Sequence, residues 1–122
     1  MTWGRGMKYG NTRTEFAGRS FASKFEASVA GLWLLMVKGG ILKDLEFQVE
    51  VRLTRAGVIY KPDMRAFNIE LGQTIYGEAK GFETPEWRIK RRLWTVYGPG
   101  QLWIYKGSAA YPKLVETIVP TG

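Results

Sequence analysis

Between residues 21 and 38 the apolar side chains Phe25, Val29, Leu32 and Met36 recur at i, i+4, i+7 and i+11, and Gly39-Gly40 follows at once. That spacing lays one stripe along an α-helix, and the paired glycines stop it. A helix with one apolar stripe must bury it against a second layer. The sequence that follows supplies one. "FQVEVRLT" (47–54) alternates apolar and polar residues, "RAG" turns the chain, and "VIYKPDMRAFNIE" (58–70) continues as in a β-meander. "LGQ" marks another turn, and "TIYGEAK" (74–80) reads as a third strand.

Thr84 and Pro85 form an N-cap and N1 pair that opens a second helix towards Tyr97, broken by Gly98-Pro99-Gly100. "QLWIY" (101–105) reads as a fourth strand, and its connection through a helix opens the way to parallel pairing. The expected order is αβββαβ, a single-domain α/β fold with a mixed, mainly antiparallel sheet. Residues 1–20 are a basic, glycine-rich arm that ends in a short hairpin through Ala17-Gly18. Residues 21–107 form the core. Residues 108–122 are expected to be a loosely attached tail or an arm that reaches a partner subunit.

A chain of 122 residues suits one domain and therefore one site. It contains no cysteine and no histidine, which excludes thiolate chemistry, disulfides, cysteine-built metal centres and the usual general base. Catalysis is left to carboxylates, lysine, hydroxyls or a hard cation held by oxygen. The +7 net charge favours a polyanionic partner, nucleic acid first and an acidic membrane surface second. The apolar run "ASVAGLWLLMV" is shorter than the roughly 20 residues that cross a bilayer. The first residues lack the apolar core of a secretory signal, so a cytoplasmic location is expected.

Glu78 and Lys80 stand two apart on one strand and so leave the same face of the sheet. Asp63, on the preceding strand, can be brought beside Glu78 by the hairpin between them. Two acids and an ammonium would converge. Two carboxylates can hold magnesium, the ion acidifies a water and polarises a phosphate, and the lysine positions that water or offsets charge. Glu26 lies at the edge of the first helix's apolar stripe, where metal binding or contact with Lys80 would relieve an unpaired charge.

Each of these residues has a plainer reading. Glu78 and Lys80 suit a solvated ion pair, Asp63 an Asx-type turn after Pro62, and Glu26 a capping box with Ser23. On the second helix Ile89, Leu93 and Val96 make the expected buried stripe. Arg88, Lys90, Arg91 and Arg92 suit either solvated surface or phosphate contact. Trp87 and Trp94 sit together off that stripe, as core edge, dimer patch or base platform, with packing or dimer contact preferred.

Pro62-Asp63 followed by Glu78-Ala79-Lys80, on this element order, resembles the Pro-Asp…Glu-x-Lys, or PD-(D/E)XK, nuclease superfamily. "KYGNTRTEFAGRSFASKFEA", "ILKDLEFQVEVRL", "YKPDMRAF" and "GEAKGFETPEWRIKRRLW" are further similar to small phage-encoded nucleases related to the Holliday-junction resolvases. The resemblance implies a restriction-endonuclease-like core and Mg2+- or Mn2+-dependent cleavage of DNA, often branched, by a homodimer in a host cytoplasm. It assigns Asp63, Glu78 and the Ala79 carbonyl to metal, Glu26 to an accessory acid and Lys80 to catalysis. Lys8, Arg13, Arg19, Lys24, Lys61, Arg88, Lys90, Arg91 and Arg92 are the expected DNA contacts. Rival readings are a nicking, restriction-like or exonuclease activity on the same core, a non-catalytic nucleic-acid-binding module, or a protein-binding inhibitor or assembly factor.

Overall fold

The computed structural model describes residues 14–122. Lys8 and Arg13, and most of the expected arm, lie outside the described residues. The chain enters as a hairpin of β1 (Thr14–Phe16) and β2 (Arg19–Phe21). Its turn residues Ala17 and Gly18 both take positive φ, 53° and 78°, as two-residue hairpin loops require. Next comes α1 (Lys24–Lys38), opened by Ser23, whose hydroxyl accepts the Glu26 amide at 3.1 Å. It closes where the Gly39 amide returns to the Leu35 carbonyl.

The sheet departs from the sequence expectation at its first strand, which is β3 (Leu42–Phe47) rather than 47–54. Lys43, Asp44 and Glu46 disguise it, yet charge is what an exposed edge strand tolerates. Asp44, at φ 57°, accompanies a bulge there. Gln48 then takes φ 57° and carries the chain out of the sheet. Of the predicted strand, Phe47 ends β3, and beyond it β4 (Val51–Arg52) pairs in a small ladder with β5 (Ile59–Tyr60). The apolar alternation was a true record of burial, because Val51 and Leu53 are buried, but they pack beneath α2 rather than in the main sheet.

The predicted 58–70 strand is likewise divided at Lys61-Pro62-Asp63, where proline offers no N–H to a ladder. Beyond it run β6 (Met64–Asn68), β7 (Gln73–Ala79), α2 (Pro85–Tyr97), β8 (Gln101–Gly107) and β9 (Pro112–Ile118). The main sheet has the order β3-β6-β7-β8-β9, antiparallel throughout except that β7 and β8 are parallel. Residues 108–122 are therefore not a loose tail. Pro112–Ile118 form an edge strand, and Ile118 is buried.

One helix covers each face. Val29 and Trp33 of α1 pack on Leu42, Met64, Ala66, Ile75 and Tyr105. Trp87 and Trp94 of α2 pack on Tyr76, Leu102 and Ile104 from the opposite face, joined by Tyr60. The stripe expected on α2 is rotated: Ile89 and Val96 are exposed, and the two tryptophans are the buried anchors. Two indoles remove more apolar surface from water than the aliphatic alternatives, so they set the helix rotation. Gly77 leaves room for the Trp33 ring against the sheet, since a Cβ there would stand 2.7 Å from Trp33 Cζ2 and 2.9 Å from Met64 Cγ. No helix among the described residues is long and apolar enough to cross a membrane.

Candidate functional site at the end of β7

Strand β7 alternates Ile75 and Gly77 towards α1 with Tyr76 and Glu78 towards α2. Glu78 is thereby buried at the mouth of the α2 core. Its Oε1 accepts the Tyr60 hydroxyl at 2.5 Å, and its Oε2 lies 3.4 Å from Lys80 Nζ. Lys80 is tied down twice more. Its amide reaches the Tyr105 carbonyl at 2.9 Å, and its ammonium sits 4.4 Å over the Trp87 ring. Glu78 and Lys80 do share a face, and neither is the solvated pair of the plainer reading.

Asp63 occupies the corner left by Pro62. Its Oδ2 accepts the Ala79 amide at 2.8 Å, which places it directly beside the Glu78-Ala79-Lys80 segment. Its Oδ1 accepts Gln48 Nε2 at 3.2 Å, and the same nitrogen reaches Glu26 Oε2 at 3.1 Å. Asp63, Glu78, Lys80 and, through Gln48, Glu26 are thus brought to one end of the sheet. Ser23 supplies its half of the capping box, while the Glu26 carboxylate is turned to Gln48. The Ser23 cap and the Glu26–Gln48 contact coexist.

The electrostatics are those of acids forced together. Burial, then the charges of Glu78 and Glu26, lift Asp63 well above the ordinary carboxylate range, against the Ala79 amide and Gln48. Burial also raises Glu78, with Glu26 adding to it and the Tyr60 hydroxyl and Lys80 opposing. Burial and the neighbouring Glu78 push Tyr60 far above its usual value, so it remains a proton donor.

A hard dication fits this donor set, because all the candidate ligands are oxygens and the repulsion between them is what a cation removes. The fit is incomplete in one respect. Among the described residues, no three acidic side chains are gathered tightly enough to cage an ion unaided. Glu26 comes from α1 and Glu78 from the α2 side, with the sheet's end between them.

Beside Glu26 and Gln48 opens a cavity of about 250 Å3, also lined by Arg19, Ser20, Phe21, Ala22 and Phe47. Arg19 stands at its rim with its guanidinium 4.6 Å over the Phe47 ring. The expected DNA contacts on α2 are largely engaged. Arg91 grips both oxygens of Glu116, Lys90 lies 3.4 Å from Glu86 and Arg88 3.8 Å from Glu83. Arg92, Lys24 and Lys61 are exposed. Trp87 and Trp94 are buried and offer no base platform.

Sequence reasoning missed two members of this constellation, Gln48 and Tyr60. Gln48 looked like a solvent-facing position of an alternating strand, and no sequence signal separates it from Glu50 or Arg52. Tyr60 left a trace, since a buried tyrosine hydroxyl wants a partner and a carboxylate pair lay just downstream. No family model and no curated protein matches the sequence.

Proposed function

We propose that the chain is a divalent-metal-dependent deoxyribonuclease of the Pro-Asp…Glu-x-Lys type, with a restriction-endonuclease-like core, acting on branched DNA as a homodimer. The observation that carries this reading is the meeting of Asp63, Glu78 and Lys80 at the end of β7, with Asp63 bonded to the amide between the other two. A net charge of +7 draws in a phosphate backbone, while buried acids that face phosphate gain nothing without a cation.

Asp63, Glu78 and the Ala79 carbonyl would hold Mg2+ or Mn2+, with Glu26 reaching it once Gln48 moves. When bound, such an ion polarises the phosphodiester and acidifies a water. Lys80, steadied between Glu78 and the Trp87 ring, positions that water and offsets charge on the phosphate. Tyr60 fixes the orientation of Glu78. Arg19 stands at the cavity where the adjoining backbone would enter.

Labelled four-way junctions, nicked duplex and linear duplex incubated with Mg2+ test the proposal. Cleavage of the junction in preference to the others is expected, with Asp63→Ala slower by about a thousandfold. Preferential cutting of linear or nicked DNA would reassign the specificity on the same core. Salt-sensitive binding that leaves DNA intact would make the protein a binding module, and wild-type activity in Asp63→Ala would remove the metal assignment.

A further inference from the structure

We propose that Gln48 is a positioning residue that holds the metal-free site together: its carboxamide bridges Glu26 and Asp63 in place of a cation and yields that place when a divalent ion enters. The inference rests on the nuclease reading for the identity of the ion, but the bridge itself is geometric. Glu26 belongs to α1 and Asp63 to the turn before β6, so nothing in the local chain path joins them. Gln48 Nε2 carries two protons and donates to each carboxylate, at 3.1 and 3.2 Å. Its own amide is bonded to the Asp63 carbonyl at 3.0 Å, which fixes the side chain's origin next to the group it serves.

Two further features mark the position. Gln48 keeps φ at 57°, a conformation disfavoured for residues other than glycine and found where surrounding structure and function demand it. The side chain is also exposed and borders the 250 Å3 cavity, so it has room to withdraw. Glutamine suits an exchangeable bridge. A lysine here would bring a permanent charge to compete with the ion, and a glutamate would add a fourth acid to Glu26, Asp63 and Glu78.

Thermal unfolding of the full chain in EDTA and in excess Mn2+ tests this. Gln48→Ala is expected to melt about 3 to 6 °C lower than wild type in EDTA. Its Mn2+-induced rise in Tm should exceed that of wild type by a similar margin, because the ion takes over what the amide did. A merely structural residue would lower both melts and leave the increment unchanged; that result overturns the proposal. An increment smaller than wild type also overturns it, by making Gln48 a ligand.

Gln48→Gly removes the carboxamide while relaxing the backbone, and its Mn2+ increment carries the same test should Gln48→Ala fold poorly. A wild-type protein with no Mn2+ response overturns the metal reading and with it the exchange. An unchanged melt of Gln48→Ala in EDTA overturns the bridge alone.

Discussion

The two faces of the central sheet bury polar aromatic groups in opposite ways. Towards α1, Trp33 Nε1 donates to the Tyr105 hydroxyl at 3.0 Å, a neutral pair within a cluster of apolar side chains. Towards α2, the Tyr60 hydroxyl is committed to the Glu78 carboxylate, and the neighbouring Trp87 Nε1 is buried without a partner among the described residues. The first arrangement satisfies the indole donor without any charge. The second keeps charge out of water beside further acids, at a cost in stability that a binding site can justify and a scaffold cannot. On the proposed function, one sheet holds a structural face and a working edge, and they should respond differently to substitution.

The sharpest separation comes from Asp63→Asn. On the proposed metal assignment, DNA cleavage should fall about a thousandfold, because the substitution removes a charged ligand. The metal-free variant should nevertheless lose less stability than wild type as pH rises towards neutral. The folded-state value of Asp63 is raised, so the native state holds its proton more tightly than the unfolded chain does. Stability from this group is full below the unfolded carboxylate range, near about pH 4, and is lost as pH rises through the raised value. Asparagine does not titrate, so it carries no pH-dependent loss, only a constant one, because its amide nitrogen cannot accept from the Ala79 amide or Gln48 as the second carboxylate oxygen did. Calorimetry in EDTA from about pH 4 to neutral checks it, and parallel pH dependences for the two proteins would make Asp63 a structural carboxylate and erase the contrast.

Gly77→Ala probes the opposite face. A single methyl would press on Trp33 and Met64 at distances real side chains do not show, so overpacking should cost about 1 to 3 kcal/mol. Urea unfolding should report that loss with and without Mn2+ alike. A Mn2+-dependent deficit would instead mean that the α1 face is mechanically part of the site.

How much of this was legible in the sequence follows the same division. The helices were readable because each carries its own start and stop: Ser23 and Gly39 around α1, Thr84 and Gly98 around α2. The same-face placement of Glu78 and Lys80 followed from strand geometry alone, as did the meeting with Asp63 across the β6–β7 hairpin. Edge strands were harder. β3 is disguised by its charges, and β9 spends most of its side chains on solvent, so neither has the alternation that betrays a strand with one buried face. Gln48 was out of reach because its role depends on a left-handed turn, and no residue type in the segment announces one.

A matched pair of tyrosine substitutions makes the finest test of the two faces. Tyr105→Phe removes a neutral acceptor, so the loss, about 1 kcal/mol, should stay constant across the acid and neutral range. Tyr60→Phe removes the donor that favours the ionised form of Glu78, so the folded-state value of that acid should rise further. The penalty of Tyr60→Phe should therefore be present where Glu78 is ionised in wild type and shrink as pH falls through its raised value. In cleavage, the acid limb of the pH profile should move to higher pH in Tyr60→Phe and stay fixed in Tyr105→Phe. Parallel stability-versus-pH curves for the two variants would mean that the Tyr60 hydroxyl feels no charge on Glu78. The α2 edge would then be as neutral in its working state as the face opposite.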